Sequence, residues 1–327
     1  MQTLEPDLMP APGRSCPLHY RYRPEDFATV APAHLQALEV LYVVGGLYGN
    51  PLALARVLDL FDQERGRKRL VFNGDFHWFD VDPGSFAQVQ QAVLAHTALR
   101  GNVETELAAP DSDDDAGCGC AYPDWVGDGV VERSNRILAR LRTAADAHQR
   151  AALSALPMWL RADVGPRRLG IVHGDATSLA GWGFAQEHLR AADHRAEVAR
   201  WLDRARVDAF ACTHTCLPVF QAIAGSPGGP TRWILNNGAA GMPNFRGDAA
   251  GMLTRIATAP AASAHRRFGV DLGGVVAEAI AIDIDQPRWR AGFEALWPAG
   301  SDAHVSYFDR ILRGPDYDAR DAVRPVR

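Results

Sequence analysis

Short apolar runs alternate with helix-like segments through the first hundred residues of the chain. The apolar run at 34–46 (HLQALEVLYVVGG) predicts one buried strand, and the apolar spacing at 50–65 predicts a helix. Residues 68–76 (KRLVFNGDF) predict another strand that ends in a Gly-Asp turn, and 85–99 predict the next helix. This order of strand, helix, strand and helix favours an α/β fold.

The same alternation returns later in the chain. Residues 131–156 and 185–207 have the apolar spacing of helices, and 158–175 predict a hairpin around a Gly-Pro turn. We therefore expect a mixed, sheet-rich core with helices outside it. Further strands are predicted within 208–225, 231–244 and 275–285.

Two segments lack this periodicity. Residues 1–33 are rich in proline, and we interpret them as an N-terminal arm on the surface of a single domain at 34–327. Residues 108–130 are acidic and rich in glycine, and they contain a Cys-Gly-Cys sequence at 118–120. This composition predicts a long loop, which we expect to be exposed and to overhang a site beside Asn102.

Composition and charge exclude several classes of protein. With 47% hydrophobic and 22% charged residues, the chain is typical of a globular protein. A net charge of −5 counts against nucleic acid and anionic membranes as partners. No apolar run has the length of a membrane span, so we expect a cytoplasmic protein, and the five scattered cysteines predict thiols rather than disulfides.

Polar side chains occur where four of the predicted strands should end. Ligands of α/β proteins bind at the carboxyl ends of strands, so this placement is typical of a site. Each polar cluster alone also fits an ordinary turn or a buried histidine, but together a carboxylate, an amide and two imidazoles suit a divalent ion such as Zn, Mn or Fe. The four residues are Asp75, Asn102, His173 and His214.

The order of these motifs resembles the calcineurin-like metallophosphoesterases. That family has the blocks D-x-H-G-N, G-D, G-N-H-D or a variant, H-G and G-H-x-H; this chain has GGLYGN, NGD, GNVE, VHGD and THTCLP in the same order between residues 43 and 218. The resemblance implies an α-β-β-α sandwich of two mixed sheets with helices on the outer faces. It also implies that one of the family's two metal sites is complete here, with the ligands Asp75, Asn102, His173 and His214.

The family's second metal site has no match in this chain. Gly46, Tyr48 and Cys216 replace its three specific ligands, and Val103 replaces the family's catalytic histidine. Tyr48 and Cys216 are candidate substitute ligands through a phenolate and a thiolate, although a packed phenol and an ordinary buried thiol also explain them. Gly46 offers no side chain to a metal.

Three further polar residues lie next to the proposed ligands. His77 and Asp80 follow Asp75 closely, and we name them as candidate catalytic residues, each as an acid, a ligand or a substrate contact. A solvated loop is the alternative explanation for both. Glu104 follows Asn102 by two positions and is a candidate for orienting a ligand, or for capping a helix.

These observations lead to two hypotheses. The first is a metal-dependent hydrolase of phosphomonoesters or phosphodiesters, with one divalent ion per chain and an altered second site. The second is an inactive protein of the same fold that binds a metal or a small phosphorylated ligand as a regulatory module. The complete retention of one ligand set favours the enzyme. A dinucleotide-binding oxidoreductase is not favoured, because the first strand is not followed by G-x-G-x-x-G.

Overall fold

The computed structural model describes residues 13–14, 17–29, 34–109, 116–225, 230–262 and 264–326. These ranges contain thirteen strands and eight α-helices. The strands are β1 (His34–Leu38), β2 (Val40–Val44), β3 (Lys68–Asn73), β4 (Thr97–Leu99), β5 (Trp159–Val164), β6 (Arg167–Val172), β7 (Ala209–Cys212), β8 (Val219–Ile223), β9 (Arg232–Asn236), β10 (Gly251–Ala257), β11 (Arg266–Asp271), β12 (Val276–Ile282) and β13 (Val323–Arg324). The helices are α1 (Pro51–Asp62), α2 (Pro83–Leu94), α3 (Asn102–Ala108), α4 (Asp128–Leu141), α5 (Ala147–Ser154), α6 (Ala192–Ala205), α7 (Gln286–Leu296) and α8 (Asp302–Arg313).

The strands form two mixed sheets. One has seven strands in the order β1-β5-β6-β7-β9-β8-β13, and the other has six in the order β11-β12-β10-β2-β3-β4. β2, β3 and β4 are parallel in the six-stranded sheet, as β6, β7 and β9 are in the seven-stranded one. Antiparallel pairs such as β5 with β6 and β10 with β12 make both sheets mixed, as expected.

Alternation of side chains along β2 shows how the layers are stacked. Leu41 and Val43 lie in an apolar core between the two sheets, whereas Val40, Tyr42 and Val44 belong to a second core on the opposite face. Helices α1, α2, α4 and α5 supply the other side of this second core, and α6 covers the seven-stranded sheet. The fold is therefore the α-β-β-α sandwich that the resemblance implies.

The single strand predicted at 34–46 is wrong, because this segment forms two strands in different sheets. β1 pairs with β5 in the seven-stranded sheet, whereas β2 pairs with β3 and β10 in the six-stranded one. Glu39 lies between them, and its N–H donates to the carbonyl of Arg67. The chain thus passes from one layer to the other within one residue.

Three predicted helices also have different limits, and the one expected at 185–207 begins only at Ala192. The helix expected at 85–99 ends at Leu94, since 97–99 pair with β3 as the short strand β4. The helix expected at 131–156 is divided into α4 and α5, because Asp146 caps the N-terminus of α5 with its side chain. The hairpin at 158–175 is confirmed as β5 and β6. Among the described residues, no helix combines the length and the apolar character needed to cross a membrane.

Candidate metal centre

The four side chains predicted as metal ligands lie together at the carboxyl ends of four strands. Asp75 and Asn102 follow β3 and β4 in one sheet, whereas His173 and His214 follow β6 and β7 in the other. His173 Nε2 lies 3.1 Å from both Asn102 Oδ1 and His214 Nδ1. The same nitrogen lies 3.3 Å from Asp75 Oδ2. All four residues are buried, with exposed fractions of 7% or less.

Hydrogen bonds to main-chain carbonyl groups orient both imidazoles. His173 Nδ1 lies 2.9 Å from the carbonyl oxygen of Asn73, and His214 Nε2 lies 3.2 Å from that of Cys120. A carbonyl oxygen can only accept, so these two nitrogens are donors. In a neutral imidazole the other nitrogen then carries a lone pair, and in both residues it is this nitrogen that faces the centre.

The amide of Asn102 is oriented in the same way. Its Nδ2 donates to the carbonyl of Cys118 at 2.7 Å and lies 3.3 Å from Cys120 Sγ. Its Oδ1 consequently faces the centre. An amide oxygen, a carboxylate oxygen and two imidazole nitrogens therefore converge as acceptors, an arrangement that is unfavourable without a positive charge among them.

This donor set fits a divalent cation. Within the described parts of the chain, the group of histidine, cysteine and acidic side chains whose ligand atoms lie within 4.8 Å of one another consists of Asp75, His173 and His214. Imidazole, carboxylate and amide ligands suit Zn, Mn or Fe, and each imidazole has the outer hydrogen bond that is typical of metal-bound histidine. The assignment of these residues as ligands stays a prediction.

The electrostatics of the site also match a ligand set. Burial, together with the neighbouring His173, lowers the pKa of His214 to about 4, so this imidazole is neutral at pH 7. Burial alone would raise the pKa of Asp75, but His173 and His214 together hold it below the usual value. Asp75 in turn raises the pKa of His173 against the effect of burial. A cation at the centre would compete with protonation of His173, because each would place a positive charge beside Asp75.

Glu104 fixes the two loops that carry Asp75 and Asn102. Its Oε2 accepts the N–H groups of Asp75 and Gly101, each at 2.8 Å, and its Oε1 accepts those of Phe76 at 3.0 Å and His77 at 3.3 Å. The carboxylate is completely buried. Glu104 therefore connects the two loops, and by accepting the N–H of Gly101 it also caps the N-terminus of α3, one of the roles that the sequence suggested for it.

The residues at the sequence positions of the family's second-site ligands, Gly46, Tyr48 and Cys216, lie close together. A Cβ atom at Gly46 would lie 3.1 Å from Cε2, Cζ and Oη of Tyr48, so the phenol occupies the space into which a residue at 46 would extend. Tyr48 Oη is hydrogen-bonded to Cys216 Sγ at 2.7 Å. Burial raises the pKa of both groups, which keeps them neutral. Their role as substitute ligands stays a prediction.

His77 and Asp80 form a buried pair. His77 Nδ1 lies 2.6 Å from Asp80 Oδ2, and the imidazole stacks on the ring of Phe86 at 3.7 Å. Asp80 Oδ1 also accepts the N–H of Trp78. The solvated loop considered as the alternative is wrong, because neither side chain is accessible to solvent. Their catalytic role stays a prediction.

The Cys-Gly-Cys sequence at 118–120 covers the site. The expectation that this part of the loop is exposed is wrong, since both cysteines are buried. The two cysteine carbonyls accept the hydrogen bonds from Asn102 and His214 described above, and a Cβ atom added at Gly119 would meet Tyr20 and Asn102. Main-chain carbonyls have no sequence signature, so the pattern of residue types did not reveal this role. Residues 110–115, with the aspartates of the same predicted loop, lie outside the described ranges.

Trp182 supports the covering segment from the outside. Its Nε1 donates to the carbonyl of Cys120 at 2.8 Å, and its ring meets that of His214 edge-to-face at 5.6 Å. A cavity of about 840 Å³ next to this indole has Arg21 and His188 in its lining. The sequence does not indicate this role of Trp182, because a tryptophan in a Gly-rich segment carries no specific signal.

The described part of the predicted arm is packed against the same loops. Tyr20 and Phe27 are buried, although the sequence predicted a surface arm. The carbonyl of Tyr20 accepts the N–H of Leu179, and the N–H of Tyr22 donates to Thr177, so residues 17–29 hold the segment that follows His173. The division of the chain into an arm and a single domain stays a prediction.

Comparison with solved structures identifies the fold. A metallophosphoesterase from Sphaerobacter thermophilus has a TM-score of 0.55 and 14% sequence identity, over 84% of this chain and 100% of that one. The chain has the metallophosphoesterase fold. A hypothetical protein from Pyrococcus horikoshii OT3 gives a TM-score of 0.54 and 14% identity, over 85% of this chain and 99% of that one. No family model and no curated protein sequence matches the chain.

Proposed function

We propose that the protein is a metal-dependent phosphoesterase that uses one divalent ion, held by the centre described above. The observation that carries this proposal is the convergence of four acceptor atoms whose orientations are each fixed from outside. The metallophosphoesterase fold supports it, since this convergence lies at the strand ends where α/β sheets bind ligands. The proposed substrate is a small phosphorylated molecule. The residues that would hold the ion are Asp75, Asn102, His173 and His214.

The ion would supply the positive charge that polarises a phosphoryl oxygen and lowers the pKa of water. The protein residues would hold the ion in position and exclude solvent from it. Glu104 keeps two of the ligand loops at a fixed separation, and the Cys-Gly-Cys segment keeps Asn102 and His214 turned inward. With Tyr48 and Cys216 in place of second-site ligands and Val103 in place of a catalytic histidine, we expect slower turnover than a two-metal site gives.

A second candidate function is a non-catalytic binding module. The burial of the centre favours it, because Asn102 and His173 have no exposed surface at all. In that case the ion would stabilise the junction between the two sheets or capture a phosphorylated ligand without turning it over. Metal binding is common to both functions, so hydrolysis alone distinguishes them.

The test is hydrolysis of 4-nitrophenyl phosphate and bis(4-nitrophenyl) phosphate by protein loaded separately with Zn, Mn and Fe. We expect metal-dependent release of nitrophenol that is lost in His173→Ala and kept in His148→Ala, which removes an exposed imidazole on α5. The ester that is cleaved faster identifies the class of phosphoester. Metal binding without hydrolysis of either ester would instead support the binding module.

A further inference from the structure

The hydroxyl of Tyr48 is held beside the metal centre by a weak partner. Cys216 Sγ donates to the carbonyl of His214 at 3.2 Å, which leaves sulfur as the acceptor for the Tyr48 hydroxyl. Thiol sulfur accepts hydrogen bonds poorly compared with an anionic oxygen. The Tyr48 proton is therefore available to a stronger acceptor that enters the site.

A fixed positive charge lies behind this pair. Arg310, on α8, donates from Nη2 to the carbonyl of Cys216 at 2.8 Å and from Nε to the carbonyl of Pro243 at 3.0 Å. Among the described residues it forms no ion pair with a carboxylate, and its Nη1 has no hydrogen-bond partner. The neighbouring Arg313, by contrast, is paired with Asp309. Arg310 thus places a guanidinium without an ion-pair partner among the described residues against the loop that carries Cys216.

We infer that the Tyr48 hydroxyl and the Arg310 guanidinium take the place of a second cation and bind an oxygen of a phosphate group. The inference rests on the proposed function. A divalent ion beside Asp75 leaves one net positive charge, whereas a phosphomonoester carries nearly two negative charges at pH 7. Arg310 supplies the missing charge, and guanidinium and phenol donors suit the oxygens of a tetrahedral anion.

The test measures binding of inorganic phosphate by calorimetry to zinc-loaded wild type, Tyr48→Phe, Arg310→Gln and Arg310→Lys. Tyr42→Phe is the matched control, because it also removes a buried hydroxyl from the same region of chain, where the partner is Glu64. We expect Tyr48→Phe and Arg310→Gln to weaken phosphate binding about tenfold or more, since a hydrogen bond to a charged group contributes roughly this much. Arg310→Lys keeps the charge and should lose less, and Tyr42→Phe should bind as wild type does.

Zinc content, measured on the same samples, separates the possible failures. We expect equal zinc in the wild type and all variants. If Tyr48→Phe and Arg310→Gln carry zinc and bind phosphate as tightly as wild type, the inference is wrong while the proposed function stands. Loss of zinc from Tyr48→Phe would also overturn it, because Tyr48 would then be a metal ligand. A wild type that takes up no zinc, manganese or iron would contradict the proposed function itself.

Discussion

At the scale of single residues, burial lowers the pKa of His214, one of the predicted metal ligands. Its pKa of about 4 lies well below the value of about 6.5 in an unfolded chain. Between these two values the unfolded state binds more protons than the folded state, so the free energy of unfolding falls as the pH drops through this window. Above pH 6.5 the contribution is fully present.

We therefore expect the metal-free wild type to lose stability between pH 6.5 and pH 4 more steeply than His214→Asn does. The difference in slope is at most about 1.4 kcal/mol per pH unit, the limit for one proton. Urea unfolding of both proteins at a series of pH values measures it. Parallel curves would show that the folded protein does not hold His214 neutral.

Glu104 is the residue on which the geometry of two ligand loops depends. In Glu104→Gln the amide keeps one acceptor oxygen but turns an NH₂ group towards main-chain N–H donors. We expect the free energy of unfolding to fall by about 1–3 kcal/mol and metal affinity to fall about 10- to 100-fold. Denaturant unfolding and competitive metal titration measure the two effects.

The exposed Glu132 on α4 provides the control for that substitution. Its side chain is mostly accessible, and its ion pair with Arg136 is long, at 4.0 Å. Glu132→Gln should change neither stability nor metal affinity appreciably. An effect of Glu104→Gln on stability alone, with unchanged metal affinity, would show that Glu104 supports the fold without positioning the ligands.

The convergence of Asp75, Asn102, His173 and His214 could be predicted from the sequence, but the surroundings of these residues could not. Asp75 and His173 stand directly after apolar runs, and side chains of these types at strand ends are a recognisable pattern. The carbonyls of Cys118 and Cys120 orient Asn102 and His214, and since every residue has a main-chain carbonyl, the residue types do not indicate this role. The burial of His77 also depends on Phe86, whose position follows only from the packing of α2.

At the scale of elements, the covering segment depends on a glycine. Gly119 has φ = 66°, and a Cβ atom there would lie 2.2 Å from Tyr20 Oη and 3.2 Å from Asn102 Cβ. Gly247 has a similar φ of 72°, but a Cβ atom there would have no neighbour within 4 Å. A substitution at either glycine would therefore strain the backbone to a similar extent. Only the side chain introduced at 119 would also contact the site.

We expect Gly247→Ala to lower the free energy of unfolding by about 1–2 kcal/mol, the cost of a left-handed residue, without affecting metal affinity. Gly119→Ala should cost more and should also weaken metal binding, because the segment must move away from Asn102. Thermal unfolding and metal titration of both variants provide the comparison. Equal metal affinity in the two variants would mean that the segment does not hold the ligands.

The boundary of an element can be predicted where the periodicity of apolar residues changes. It cannot be predicted where the chain passes from one sheet to the other without such a change. β1 and β2 read as one apolar strand because nothing local distinguishes a strand of one sheet from a strand of the other. The sequence pattern places β4 in the preceding helix, because three residues are too few to show the alternation of a strand. Only long-range pairing defines these strands: β1 pairs with β5, and β4 pairs with β3.

At the scale of the whole molecule, the centre lies where the two sheets meet. Each sheet contributes two of the four predicted ligands through its parallel strands, so a bound ion would connect both layers of the sandwich. The sequence predicted this arrangement through the order of its motifs. The C-terminal helix α8, which carries Arg310, was not predicted and lies outside those motifs.

The most direct test of a single metal centre is the metal content of the purified protein by elemental mass spectrometry, after loading with Zn, Mn or Fe. Asp75→Ala and His173→Ala are compared with wild type and with His148→Ala, and circular dichroism verifies that each variant is folded. We predict about one ion per chain in wild type and His148→Ala, and far less than one in the other two. Two ions per chain, or none in folded wild-type protein, would contradict the account.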